Sequence, residues 1–440
     1  MPSLSKSNVP RFSVDVYHNE YLPEGGGEVN AVVTVTATGE GTSGGRPLDG
    51  GASAGVVLMV DCSGSMEYPP AKMRNAREAT AAAIDTLRDG VAFAVVAGSH
   101  EAREVYPADG GLAMAGPETR AQARRALRRL TSGGGTAIGT WLRLADRLLS
   151  ASGVSIRHGI LLTDGRNEHE SPEDLRQALA DCAGRLTCDA RGVGTDWEVA
   201  ELTQIASALL GSVDIVADPS GLAADFRSMM ADAMGKEVAD VALRLWTPQG
   251  SEIAFVKQVA PVLEDLSARR AQAGPRAGDY PTGSWGDESR DYHVCVRVPP
   301  AAVGQEMLAA RVSLVLPRPD GTVETLGQGL VRAVWTDDMA ASTRISPQVA
   351  HYTGQAELAQ AIQQGLEARR AGDQDGATAK LGRAVQLASA SGNEDTARLL
   401  ARVVDVVDAA SGTVRLKQRV ADADEMTLNT RSTKTVRVKK

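Results

Sequence analysis

The sequence predicts an α/β protein: a doubly wound, mostly parallel sheet inserted in a β-sandwich and followed by a C-terminal helical element. Three observations carry this prediction. From about residue 53 to 234, short strand-like runs alternate with helical patterns, as parallel βα units require, and the first of them, 56–60, is wholly apolar, as a strand buried on both faces must be. Before and after that stretch the apolar period is two, the mark of strands with one covered face. From residue 350 the spacing becomes helical again.

Taken in order, residues 12–17 and 29–36 alternate as strands within a segment spanning 11–37, and a Gly/Ser/Thr-rich linker follows over 39–52. The apolar run 56–60 is a buried strand. Helix 72–87, strand 91–97 and helix 118–130 lead to Gly133-Gly134-Gly135. Helix 138–150, strand 156–162, helix 172–183, strand 187–193, helix 197–209, strand 213–216 and helix 222–234 complete the α/β domain over 53–234. A sandwich follows over 236–337, with strands at 238–246, 252–259, 292–298, 308–316 and 325–335. Two early strands by themselves would leave an apolar face uncovered, so they belong to this sandwich and the α/β domain is inserted between its parts. Over 350–412, helices 356–371, 375–390 and 394–409 turn at Gly372, Gly376 and Gly392. One such hairpin and a third helix are too few for a solenoid, so a three-helix packing element is expected. Residues 420–440 carry few apolar side chains and read as a flexible tail.

The chain has 440 residues, enough for two or three domains. Apolar residues make up 43% and charged residues 23%, the balance of a folded globular chain. The formal net charge of −8 comes without a long basic stripe, which argues against nucleic acid as a main partner. Residues 1–12 hold no apolar run of signal-peptide length and no segment approaches a membrane span, so no membrane insertion and a cytoplasmic location are expected. Cys62, Cys182, Cys188 and Cys295 form neither a disulfide framework nor a zinc spacing, and read as buried free thiols.

The chemistry concentrates at the carboxyl ends of buried strands. Asp61-Cys62-Ser63-Gly64-Ser65 follows the first, and Thr163-Asp164-Gly165 follows the strand at 156–162. Thr136 follows three glycines, which allow a loop to approach closely. Ligands bind at this edge of open α/β sheets. A donor set of oxygens alone suits a hard cation, Mg²⁺ first and Mn²⁺ second. Two carboxylates formally balance a divalent ion while hydroxyls add no charge. The ion stays electrophilic, and a partner's Asp or Glu can complete it.

Asp61, Ser63, Ser65, Thr136 and Asp164 match, residue for residue, the metal-ion-dependent adhesion site of von Willebrand factor A domains. The alternation from 56 to 234 resembles that domain over its full length, and the flanking parts resemble actinobacterial cytosolic proteins that carry it. The resemblance implies that Ser63, Ser65 and Thr136 or Asp164 coordinate the ion directly or through water. It also implies a non-enzymatic, Mg²⁺-dependent module that binds an acidic side chain of a partner protein. An adaptor for a chelatase-like AAA+ ATPase is the alternative from another class.

Enzymatic readings fail on particular residues. Ser63 occupies the place where an aspartyl-phosphate enzyme needs its second carboxylate. No Gly-x-x-x-x-Gly-Lys-Ser/Thr loop exists, and His169-Glu170 is followed by Glu173 where a zinc-protease helix needs His. Ser171 and Pro172 read as a helix cap and first-turn proline, and Glu168, His169 and Glu170 as a solvated rim of the metal face. The tail reads as a solvated, charged terminus, and the sharper alternative takes Thr427 and Thr430 as phosphorylation positions with a forkhead-associated-domain protein as the reader.

Overall fold

The apolar run at 56–60 becomes the centre of a seven-stranded sheet. In the computed structural model, which describes residues 10–39, 54–318 and 320–438, this run lies in strand Ala54–Asp61. All but Gly39 of the expected linker, and Lys439 and Lys440 of the tail, lie outside the described residues. The sheet order is Val213–Val216, Thr187–Val193, Ile156–Thr163, Ala54–Asp61, Ala92–Gly98 and Ala102–Tyr106. The first five strands are parallel, while Ala102–Tyr106 and the short Ala113–Met114 pair antiparallel to Ala92–Gly98. Val56, Leu58 and Val60 pack on one face with Ala76, Ala79 and Ala83 of helix Ala71–Thr86 and with Phe226 and Met230 of helix Leu222–Met234. Val57 and Met59, which alternate to the other face, are equally buried. That double burial is why the strand contains no polar residue before Asp61.

The order of the strands decides where a ligand can enter. From Ala54–Asp61 the chain runs outward to Ala92–Gly98 on one side, then returns to place Ile156–Thr163 on the other. Connections that leave neighbouring strands in opposite directions open a crevice at their carboxyl ends. Asp61 and Asp164 stand there.

These elements belong to a first compact unit, residues 54–239 with 283–286. The second unit comprises 10–39, 240–282 and 287–438 among the described residues. Within it, Glu28–Thr38 pairs along its length with Arg11–His18 on one side and Glu288–Arg297 on the other. Glu252–Ala260 and Glu264–Asp265 extend this sheet. A six-stranded sheet runs Ala271–Gly274, Ala277–Trp285, Val238–Trp246, Glu306–Pro317, Val323–Trp335 and Tyr21–Leu22. The two sheets meet where Val14 and Val16 lie over Gly327 and Gly329. Strands at Ala271–Gly274 and Ala277–Trp285 were not expected, because Pro275, Gly278, Pro281 and Gly283 read as turns. Antiparallel pairing overrides that local signal.

The C-terminal part departs most from the sequence reading. Helices Pro347–Arg370 and Gln374–Ser391 form as expected, but the third stops at Val403. Val404–Asp408 instead pairs with Thr413–Leu416 as a hairpin. The alternation of Val404, Asp405 and Val406 favours a strand, and Gly412 at φ +72° serves the turn. The expectation of a flexible tail over 420–440 is also corrected. Asp422–Arg431 is a helix with Asp422, Asp424 and Glu425 in its first turn and Arg431 in its last, charges that suit the helix dipole. Leu428 is fully buried in a cluster with Leu366, Leu381 and Leu400. Beyond the helix, Leu263 N donates to Thr433 O at 2.8 Å and Thr435 N to Pro261 O at 3.0 Å. Arg437 grips buried Asp291 through Nε at 2.9 Å and Nη2 at 2.8 Å. Thr427 and Thr430 are 8% and 4% exposed, and the Thr427 hydroxyl donates to Ala423 O. A kinase reaches neither without unfolding this helix, so phosphorylation there and a forkhead-associated reader lose their basis.

Two measurements test these packing arguments. Leu428→Ala should destabilise the protein by about 2–5 kcal/mol in urea unfolding, as expected for a methyl-rich side chain removed from a closed core. A surface-like loss below half a kilocalorie would contradict the packed tail. His293 lies buried with Nε2 2.9 Å from Asn30 Oδ1, and burial, aided by Lys257, pushes its pKa from the ordinary 6.5 down to about 4. The unfolded chain takes up a proton below about pH 6.5 while the fold resists until about pH 4. Stability is therefore full above that window and declines as pH falls through it. His293→Gln should flatten the urea midpoint across those pH values relative to the unsubstituted protein.

Candidate metal centre

Asp61 ends its strand with a carboxylate wholly removed from solvent. Two donors hold it: Ser63 N reaches Oδ1 at 2.8 Å, and Thr163 Oγ1 reaches Oδ2 at 2.6 Å. Burial raises its pKa to about 6; the bonds from Ser63 and Thr163 oppose the rise, and the neighbouring charge of Asp164 adds to it. Ser63 Oγ and Ser65 Oγ lie 2.9 Å apart, and Ser65 Oγ donates to Asp164 Oδ1 at 2.7 Å. Four of the five residues read from the sequence thus form one chain of contacts.

Thr136, the fifth, is 5% exposed and borders the same point. A side-chain carbon at Gly165 would stand 3.2 Å from Ser65 Oγ and 3.7 Å from Thr136 Oγ1. The glycine loop reaches this position because Gly64 N donates to Gly134 O at 2.9 Å and Gly133 N to Cys62 O at 2.8 Å. Gly134 adopts φ +80°, and a Cβ there would collide with the His100 ring at 2.3 Å. At Gly135 it would meet the His169 ring at 2.1 Å. Neither position has room for a side chain.

The set fits a hard divalent cation. Asp164 Oδ2 is buried, and the partner it meets is the Lys72 ammonium at 2.6 Å. A buried carboxylate oxygen left to a cation, beside three hydroxyls and a second carboxylate, offers the all-oxygen environment that Mg²⁺ or Mn²⁺ takes.

Comparison with known proteins bears on the whole chain. A family model for the von Willebrand factor type A domain matches residues 54–215, and one for the von Willebrand factor type A C-terminal domain matches 386–432. The solved structure of a von Willebrand factor type A protein from Catenulispora acidiphila is 52% identical, with 99% of each chain covered and a TM-score of 0.93. This chain belongs to the von Willebrand factor type A family. The fold alone is shared with the ArnB paralog VWA2 from Sulfolobus acidocaldarius, at 15% identity, TM-score 0.58, and 95% and 98% coverage of the two chains. Comparison with curated proteins finds no match.

In this von Willebrand factor type A chain, the loop after Asp164 leaves Glu168 and His169 exposed as the expected rim and also acts as a clamp. Asn167 Oδ1 accepts from Ile138 N at 2.7 Å, at the start of helix Ile138–Ala151, which has no cap of its own. Glu170 Oε2 accepts from Gly139 N at 2.8 Å and from Asn167 Nδ2 at 3.0 Å. His169 N donates to Thr136 O at 2.9 Å, and His169 Nδ1 accepts from Thr136 N at 3.3 Å. The loop carrying Asp164 therefore fixes the loop carrying Thr136. Ser171 caps helix Pro172–Cys182 by accepting from Asp174 N, as its position in the sequence suggested.

Two residues that matter here were missed from sequence: Thr163, which holds Asp61, and Lys72, which meets Asp164. Thr163 had a usable signal in its place beside Asp164 in Thr163-Asp164-Gly165. Lys72, eleven residues from Asp61 along the chain, had none. Cys62 packs in the core, and burial pushes its thiol up to about 12, so it stays protonated. All four cysteines are free and buried.

Thr163→Val should cost about 1–3 kcal/mol, the penalty for leaving a buried acceptor without its donor. Denaturant unfolding of the metal-free protein measures it, and an unchanged midpoint would remove Thr163 from the support of Asp61.

Proposed function

We propose that this protein is a non-enzymatic, Mg²⁺-dependent interaction module of the cytoplasm. In this reading, Asp61, Ser63, Ser65, Thr136 and Asp164 hold the ion and an Asp or Glu side chain of a partner protein completes it. The von Willebrand factor A domain is a common protein-interaction module. The observation that carries the proposal is the chain of contacts Asp61–Ser63–Ser65–Asp164 at the carboxyl edge, ending in a buried carboxylate oxygen that meets a cation. No described helix is long and apolar enough to cross a membrane.

The chain's own residues explain why binding rather than turnover is the expected output. When bound, the ion supplies an electrophilic centre for a carboxylate. Around it stand hydroxyls held by each other and by Asp164, with no general base within the set that lacks a structural bond. Burial, which raises the Asp61 pKa, also means that a divalent charge beside it favours its ionised form.

The direct test is Mn²⁺ titration followed by electron paramagnetic resonance. The unsubstituted protein should bind one equivalent, and Asp61→Asn, which keeps the side chain's shape and removes its charge, should bind none. Equal uptake by the two would refute the site. Capture of partners from native extract should fail in EDTA and return with excess Mg²⁺; capture that ignores chelation would move the interaction away from this edge.

A further inference from the structure

We propose that Lys72 is a tethered cation that competes with the divalent ion for Asp164, with Asp196 as its second seat. The inference rests on the metal-centre reading above and assigns a role to a residue outside the five-residue set.

Lys72 lies in the first turn of helix Ala71–Thr86, where the helix dipole disfavours positive charge. Its side chain is nevertheless drawn inward, to 13% exposure, against an Asp164 side chain that is wholly buried. Nζ stands 2.6 Å from Asp164 Oδ2, 3.3 Å from Asp196 Oδ2 and 3.5 Å from the Ser65 carbonyl. The Asp196 side chain is 70% exposed. The ammonium thus sits between a buried carboxylate and a solvated one. Rotation about the flexible stem lets the ammonium leave Asp164 and keep Asp196 without moving the backbone.

Charge decides the direction of the exchange. Asp61 and Asp164 bring two buried negative charges to the site, and Lys72 offsets one of them. A divalent ion arriving while Lys72 remains would leave the site net positive, with two cations sharing one carboxylate. Like charges at such distances in a poorly solvated site repel strongly. With Lys72 moved to Asp196, the two carboxylates balance the ion. Metal entry therefore drives Lys72 outward, and the energy of its ion pair with Asp164 is subtracted from metal affinity. The same lysine keeps Asp164 from being an uncompensated buried charge in the metal-free protein, a state that costs several kcal/mol.

The test is Mn²⁺ affinity of the full chain, measured by titration calorimetry and electron paramagnetic resonance. The series comprises the unsubstituted protein, Lys72→Met, Lys72→Gln, Asp196→Asn and Asp61→Asn, each checked for folding by circular dichroism. Lys72→Met should bind Mn²⁺ at least about ten-fold more tightly, because the competing charge is gone. It should also melt lower without metal and gain more in melting temperature on adding Mn²⁺. Asp196→Asn should bind about three-fold more weakly, because the displaced ammonium has lost its second partner. Lys72→Gln repeats the neutralisation should the Met variant misfold. If both Lys72 variants bind Mn²⁺ no more tightly than the unsubstituted protein, while Asp61→Asn binds none, the metal centre stands and the competitor role is overturned. If Asp61→Asn binds as well as the others, or no variant binds at all, the metal reading fails and this inference falls with it.

Discussion

Two carboxylates closed off from water at the ends of adjacent parallel strands impose the main constraint on the first unit. Each must be held by donors or met by a cation, because an ionised group buried without compensation is among the costliest features a fold can contain. Asp61 is met by Ser63 N and Thr163 Oγ1, and Asp164 by Ser65 Oγ and Lys72. Much of the local structure follows from keeping those donors in place. The hydroxyl of Thr163 also accepts from Gly165 N, so one side chain holds its neighbour's loop and the opposite strand's acid together.

The same demand explains why the loops at this edge are bonded to one another. Loop residues at such edges ordinarily vary and move. Here the segment 164–170 bonds to 136–139 through Asn167, His169 and Glu170, while the glycines at 133–135 accept one backbone bond from Gly64 and give one to Cys62. The clamp also supplies the start of helix Ile138–Ala151 with acceptors that its own sequence lacks. Trp141 of that helix is fully buried and donates to Ser99 O, tying the helix to the end of the neighbouring strand. Support for this edge is therefore built from helix start and sheet end at once.

The second unit obeys a parallel rule with a different residue. Asp291, 2% exposed, accepts from Thr34 Oγ1 at 2.6 Å, from the Tyr352 hydroxyl and from both arms of Arg437. These partners come from an early strand, a helix and the last described residues. A buried acid again gathers donors from segments far apart in sequence. Here a guanidinium compensates it permanently, so nothing remains for an outside ion. That contrast separates a structural buried acid from one suited to binding.

The sequence by itself determined the parallel sheet and much of what the candidate site needs: which strands end in acids, which loop is glycine-rich, and that all donors are oxygen. In the run 56–60 an unbroken apolar stretch reports burial on two faces and leaves its first polar residue, Asp61, at the strand end, so that signal is local and legible. The pairing of Glu28–Thr38 with Glu288–Arg297 was also accessible, since an uncovered apolar strand demands a partner. Tertiary structure alone decided the rest. The segment 422–438 is sparse in apolar residues, yet Leu428 finds a core in helices whose residues lie far earlier in the chain, so no window of sequence reports its burial. The strands at 271–285 form against their proline and glycine signals because neighbouring strands supply the hydrogen bonds. Lys72 and Asp164 are 92 residues apart, and only the crossover that sets their strand and helix side by side makes a surface-type lysine the counter-charge of a buried acid.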